Sequence, residues 1–235
     1  SNGDEVIQPG LTVVMDSFMT TALGATPVFA DVDPISFNIC PLSVESLITP
    51  KTKCIIIVDW QGLPCDYDAL KAISTKYNIP IICDSAQTVL SKYKGVDCGN
   101  QFEFHVYSFE QKKHITTGSE GGMVVCSDPY LASKCRKFAG IGYRHLTASA
   151  GRTSLSKSEA QDPNYKRFEI RGFNYRMNEI SACVGLSQIN RVEGLVQSRI
   201  ENAHCFLKVL SEYDVFEPQK SNYPARHTYY TVGVR

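Results

Sequence analysis

The sequence lacks a surplus of either charge: 24 Lys and Arg stand against 24 Asp and Glu. A nucleic-acid binder carries a basic excess to neutralise phosphates, so no nucleic-acid partner is expected. It also lacks any apolar run approaching the ~18 residues of a membrane-spanning helix. The longest runs, at 54–58 and 79–83, are strand-sized, so no membrane partner is expected either. No basic start with an apolar h-region opens the chain, which is what a signal peptide would show. Nine cysteines contain no CxxC pair, and five histidines do not cluster with them in sequence. A zinc site needs clustered ligands, so no metal is expected. An odd, scattered set of thiols in apolar stretches reads as reduced core cysteines of a cytoplasmic protein. No GxGxxG follows the first strand, which leaves a Rossmann nucleotide site the weakest reading.

What is present is a chain of 235 residues, 43% hydrophobic, long enough to bury a sizeable core. Strand-like and helix-like segments alternate, the signal for an α/β layered sheet. Strands are expected within 3–8 and over 27–33, 53–59, 79–84, 102–109 and 122–126. Helices are expected over 12–23, closed by Gly24, and over 43–47, 66–77 and 129–138. Residues 140–172 break this rhythm and read as a long polar excursion, the kind of loop that is functional or disordered. Apolar spacing returns over 177–210 as two helices or one bent helix, with a break near 191–194. Residues 228–235 alternate like a strand. The pattern opens at a turn before a strand and stops inside a strand, so the chain reads as a piece of a longer protein.

Two polar clusters carry chemistry. The first is Ser108-Phe109-Glu110-Gln111-Lys112-Lys113-His114, followed by the glycine-rich Gly118-Ser119-Glu120-Gly121-Gly122, between two strands. A Lys-Lys pair taken alone is a solvated turn. A hydroxyl upstream and glycines that let backbone approach a ligand favour a pocket, in which a lysine amine can form a Schiff base with a carbonyl cofactor. The second is Asp84-Ser85-Ala86-Gln87 at the C-terminal end of a strand, where open α/β sheets bind ligands. Asp84 alone reads as a helix N-cap. Together the clusters fit pyridoxal 5'-phosphate, which needs a lysine for its aldehyde and an acid against its pyridinium nitrogen.

At this point the chain resembles the DegT/StrS sugar aminotransferases. The resemblance runs through Gly3-Asp4-Glu5-Val6-Ile7, Gly24-Ala25-Thr26-Pro27-Val28-Phe29 with Asp31-Val32-Asp33, and Ile48-Thr49-Pro50-Lys51-Thr52-Lys53. It continues through Gly62-Leu63-Pro64-Cys65-Asp66, Asp84-Ser85-Ala86-Gln87, the Lys113 loop with Glu120-Gly121-Gly122, and Asn174-Tyr175-Arg176-Met177. It implies an aspartate-aminotransferase-like, fold-type-I body: a mostly parallel sheet with helices on both faces. Residues 1–195 would be the pyridoxal-phosphate-binding large domain without its N-terminal part. Residues 196–235 would be a linking helix and the start of a smaller α+β domain.

The resemblance also implies roles. Lys113 would be the Schiff-base lysine and proton shuttle. Asp84 would pair with the pyridinium nitrogen, Gln87 would hydrogen-bond the ring hydroxyl, and Ser108 would donate to the phosphate. Asn174 would reach the phosphate of a neighbouring subunit, so a homodimer would share its active sites. The implied reaction moves an amino group from glutamate or glutamine to a nucleotide-linked ketosugar, in amino-sugar biosynthesis. Departures from the family pattern are Val13 where an aromatic often stacks on the ring, Asp59-Trp60-Gln61 before Gly62, and Glu110-Gln111-Lys112 in the lysine loop. Residues 143–165 read as a sugar-nucleotide lid or a disordered surface loop. Asn174 by itself reads as a helix N-cap. The rivals are a sugar dehydratase of the same family, in which histidine replaces the lysine, and a non-catalytic regulatory or scaffold relative.

Overall fold

The structure is a computed structural model that describes residues 1–149 and 155–235. Nine strands and seven α-helices alternate among the described residues. In chain order these are β1 (Glu5–Pro9), α1 (Met15–Ala22), β2 (Thr26–Ala30), α2 (Pro41–Ser46), β3 (Thr52–Val58), α3 (Tyr67–Tyr77) and β4 (Ile81–Asp84). They continue with β5 (Lys92–Tyr93), β6 (Val96–Asp97), β7 (Phe104–Ser108), β8 (Gly122–Val125) and α4 (Pro129–Ala139). The remainder is α5 (Lys157–Gln161), α6 (Glu179–Ile189), α7 (Val192–Leu210) and β9 (Ala225–Arg226).

Six strands form one sheet in the order β2-β1-β3-β4-β7-β8. Every neighbouring pair is parallel except β7 with β8, which is antiparallel. This is the α/β sheet that the alternation predicts, mostly parallel and flanked by helices as the family resemblance implies. A short antiparallel sheet, β6-β5-β9, stands apart from it. Parallel strands buried on both faces read as near-continuous apolar runs. Accordingly Ile55 and Ile57 of β3 and Ile81 of β4 are fully buried with Ile7, Tyr67 and Leu70. Cys65, Cys83 and Cys98 are buried free thiols in the same core.

The local signals act as expected at several ends. The Asp66 carboxylate accepts the Ala69 N–H (3.3 Å) and starts α3, and Asn78 closes that helix in the left-handed region. Gly24 takes φ +76° just beyond α1. Helix α1 begins at Met15 rather than at 12, and ahead of it the Thr12 hydroxyl donates to the Asp16 carboxylate (2.8 Å). The break in the 177–210 stretch falls at Asn190 and Arg191, giving two helices.

Three expectations are corrected. No helix follows Asp84; its carboxylate instead accepts the Ala86 N–H (2.9 Å), closing a turn at the strand end. Asn174 is not a helix cap, since Asn178 caps α6 by accepting the Ser181 N–H (2.9 Å). Residues 228–235 are not a strand. Thr228 is fully buried, Tyr229 takes φ +46°, and the segment folds across the strand ends as a strap.

The polar excursion is pinned at its base. Tyr143 bridges Phe168 with stacked rings (5.2 Å), and the Arg144 N–H meets the Arg167 carbonyl (2.9 Å). Within it, α5 carries a capping box of Ser156 and Glu159. The part of the expected lid at 150–154 lies outside the described residues. Among the described residues, no helix is long and apolar enough to cross a membrane.

Candidate active site

The parallel strands β3, β4 and β7 end side by side at Val58, Asp84 and Ser108, in the register Val58–Asp84–Val106. The β7–β8 connection then carries Lys113 back over these ends, because Ser108 pairs with Gly122 to close the hairpin. Ligands bind outside the carboxyl ends of strands in open α/β sheets, since loops there converge while the sheet holds them rigid.

Asp84 and Lys113 sit close enough that each shifts the other's titration. Burial pushes the Asp84 carboxyl up to about 6, and the Asp16 carboxylate pushes the same way. The Ala86 N–H and the Lys113 ammonium oppose them. Burial also holds the Lys113 amine below the usual lysine range, against the pull of Asp84 and Glu110. Lys113 is half-buried, whereas its neighbour Lys112 is exposed.

His114 turns away from this pair. Its Nε2 donates to the Thr228 carbonyl (3.0 Å), its Nδ1 is buried without a partner, and burial brings its pKa down to about 4. It is therefore a neutral, structural histidine that ties the lysine loop to the strap.

Gln87 is buried, and its Oε1 accepts the Gln61 N–H (2.6 Å). An N–H can only be met by the amide oxygen, so the Gln87 amino group is the free donor. Gln61 holds this N–H in place with a left-handed backbone (φ +59°), and its carbonyl accepts the Tyr230 N–H (2.8 Å). The Ser108 hydroxyl oxygen accepts the Glu110 N–H (3.3 Å), which leaves its proton to be donated outward.

Asn174 is not joined to this group. It is exposed, its Oδ1 accepts from Arg176 Nε (3.0 Å), and its backbone bridges Gly140. Val13 is 48% exposed just ahead of α1.

Sequence reasoning missed Asp16, Tyr230 and Arg199. Asp16 had a signal, an acid within an otherwise apolar helix start. Tyr230 and Arg199 had none, because they reach the site only through long-range packing.

The donor set has the chemistry that pyridoxal phosphate takes: an acid in Asp84, an amine in Lys113, an oriented N–H in Gln87 and an outward O–H in Ser108. The buried Asp59 lies beneath, its carboxylate accepting from Tyr67 Oη (2.6 Å) and Thr88 Oγ1 (3.2 Å), so it anchors the 84–88 turn from below.

The chain is similar to known proteins over most of its length. The chain is 39% identical to GDP-perosamine synthase of Caulobacter vibrioides over 198 residues, which is 84% of this chain and 48% of that protein. It thus spans about half the length of that curated relative. The structure of an aminotransferase from Psychrobacter cryohalolentis superposes with a TM-score of 0.86 at 32% identity, covering 98% of this chain and 58% of that one. PseC of Helicobacter pylori, an aminotransferase involved in the biosynthesis of pseudoaminic acid, gives 0.86 at 27% identity over 100% of this chain and 58% of its own. The body is thus an aminotransferase fold of type I. Residues 1–235 match one family throughout, and on that match this chain belongs to the DegT/DnrJ/EryC1/StrS aminotransferase family.

Proposed function

We propose that the protein is a pyridoxal-phosphate-dependent aminotransferase that moves an amino group from glutamate or glutamine to a nucleotide-linked ketosugar. The observation that carries this reading is the Asp84–Lys113 pair at the strand ends, an acid and an amine within each other's field. Bound there, the cofactor supplies an aldehyde for the amine and a ring that takes up the electron pair left by deprotonation. The chain's own part is to orient and to move protons. Asp84 holds the ring nitrogen in its charged form. Gln87 presents an N–H fixed by Gln61. Lys113, its amine kept below the usual range by burial, can take a proton from one carbon and return it to another. Dehydration chemistry of the histidine type would need His114 in this place, and His114 is committed to Thr228.

The reading is tested by incubating the full chain with pyridoxal phosphate, an amino donor and a panel of ketosugar nucleotides. Amine transfer to one of them is expected, with 2-oxoglutarate formed from glutamate or 2-oxoglutaramate from glutamine. No transfer with any acceptor, from a protein that binds the cofactor, would count for the non-catalytic alternative.

Asp84 makes cofactor capture depend on pH. Below about 6 its carboxyl is neutral and offers the pyridinium no charge, so affinity should fall as pH drops from 7 to 5. Pyridoxamine phosphate is the better probe, because it does not bond to lysine. Calorimetric titration should show a steeper acid-side loss in the wild type than in Asp84→Asn. Equal slopes would mean that Asp84 does not meet the ring.

We further propose a homodimer with shared sites. Two observations support it: the exposed Asn174, set apart from the Asp84–Lys113 group, and an apolar face on α1 where Met15, Phe18 and Met19 are 53%, 57% and 50% exposed. A two-fold interface is self-complementary, so each subunit would complete the other's site. Mixing inactive Lys113→Ala with inactive Asn174→Ala subunits should restore activity, since one hybrid site carries neither lesion. A dead heterodimer from well-folded parents would exclude sharing. Residues 1–195 serve in this reading as the cofactor-binding body, and 196–235 as the lead into a smaller domain.

A further inference from the structure

The strap at 225–235 does more than cover the sheet ends. Its first residues pair with β5, Thr228 N–H meets the Gly62 carbonyl (3.0 Å), and Thr228 Oγ1 meets Ser91 Oγ (2.9 Å). These contacts deliver Tyr230 to the lysine loop, where its ring centroid lies 4.5 Å from Lys113 Nζ. The ring is fixed from both sides of its own backbone. The Tyr230 N–H donates to Gln61, and Arg199 on α7 donates to the Tyr230 carbonyl (3.3 Å). The other arm of the same guanidinium donates to the Lys112 carbonyl (3.2 Å). One arginine therefore clamps the strap to the loop that carries the lysine, and a planar fork is the side chain suited to hold two carbonyls at once.

We propose that Tyr230 is a positioning residue for Lys113: its ring is the perch that the lysine ammonium occupies whenever the amine is not bonded to a carbonyl carbon. The electron-rich ring face attracts the ammonium, and the attraction is stronger in a half-buried setting than in water. The charged and titratable groups facing Lys113 are Asp84 at the end of β4, Glu110 on its own loop, His114 beside it and Arg199 on α7. The two acids favour the ammonium. Tyr230 adds a favourable contact that requires no further negative charge. This rests on the reading of Lys113 as the cofactor lysine.

The test is the acetylation rate of Lys113 in the cofactor-free full chain, followed by peptide mass spectrometry across pH. The rate tracks the fraction of free amine, so its midpoint reports the lysine pKa. Tyr230→Leu should move that midpoint down by about half to one pH unit, the size of a partly desolvated cation–π contact. Tyr230→Phe keeps the ring face and should match the wild type. Arg199→Lys keeps the charge but loses the fork, and should give a smaller downward shift; it decides the matter if Tyr230→Leu does not fold. A midpoint unmoved or raised in the leucine variant would mean that the ring only shields the amine from water, and the perch is overturned. Wild-type protein treated in parallel with pyridoxal phosphate and borohydride separates the two readings. Failure to label Lys113 there counts against the cofactor assignment, whereas the acetylation midpoints judge the perch in the cofactor-free chain.

Discussion

Lys113→Ala is expected to fold, to bind pyridoxal phosphate weakly and reversibly, and to lose turnover by roughly 100- to 10,000-fold or more, the range that a positioned acid–base group contributes. The expectation follows from geometry. Lys113 is the half-buried amine of its loop and feels Asp84; Lys112 is exposed, and His114 is turned to Thr228. Lys112→Ala should therefore leave the rate nearly unchanged, and so the pair of variants separates one lysine from the other. Lys113→Arg keeps a positive charge but cannot give up a proton near neutral pH, so it should be as inactive as the alanine variant. Steady-state kinetics with any competent ketosugar nucleotide decides this. Substantial activity in Lys113→Ala would remove the lysine from the mechanism.

The second large effect belongs to Asp84. Its carboxyl ends β4 and is held in a turn by the Ala86 N–H, so the side chain is placed before any ligand arrives. Removing a preorganised charge of this kind costs about 2.7–4 kcal/mol of transition-state stabilisation. Asp84→Ala should thus lower kcat by about two to three orders of magnitude while the fold, read by circular dichroism, stays intact. Asp84→Asn should lose nearly as much, because it keeps the shape and drops the charge. Asp16 is the acid that could take over. Its carboxylate is close enough to raise the Asp84 pKa, and burial raises its own. If Asp84→Ala turned over normally and the double variant with Asp16→Ala did not, the role would pass to Asp16.

The parts of this account that could be read in the sequence are those set by local rules. The apolar runs at 54–58 and 79–83 became buried parallel strands, because such strands are covered on both faces and leave no polar alternation. Asp66 and Asn78 marked the ends of α3 by their own side-chain and backbone chemistry. Asp84 and the Lys113 loop were legible because strand ends and glycine-rich returns are where such sheets place ligands.

What could not be read arises from contacts between distant segments. β5 and β6 are two residues each and exist only by pairing, β5 with Ala225–Arg226 on the far side of the chain. The alternation at 228–235 reads as a strand, but the residues it buries are Thr228, whose hydroxyl is held by Ser91, and Gly233. Gln61 takes a left-handed backbone ahead of Gly62 although it is not itself a glycine, and it is held there by the strap and by Gln87. Asp59 gave a composition signal, a departure before Gly62, yet its task of holding the 84–88 turn became visible only through Tyr67 and Thr88.

The central claim is that Lys113 is the residue to which the cofactor bonds. The most direct measurement is borohydride reduction of the full chain with pyridoxal phosphate, followed by proteolysis and mass spectrometry of the labelled peptide. The account predicts loss of the visible absorbance band on reduction and a single stoichiometric label on Lys113. A label on Lys112, or no covalent label from a protein that binds the cofactor, would contradict it.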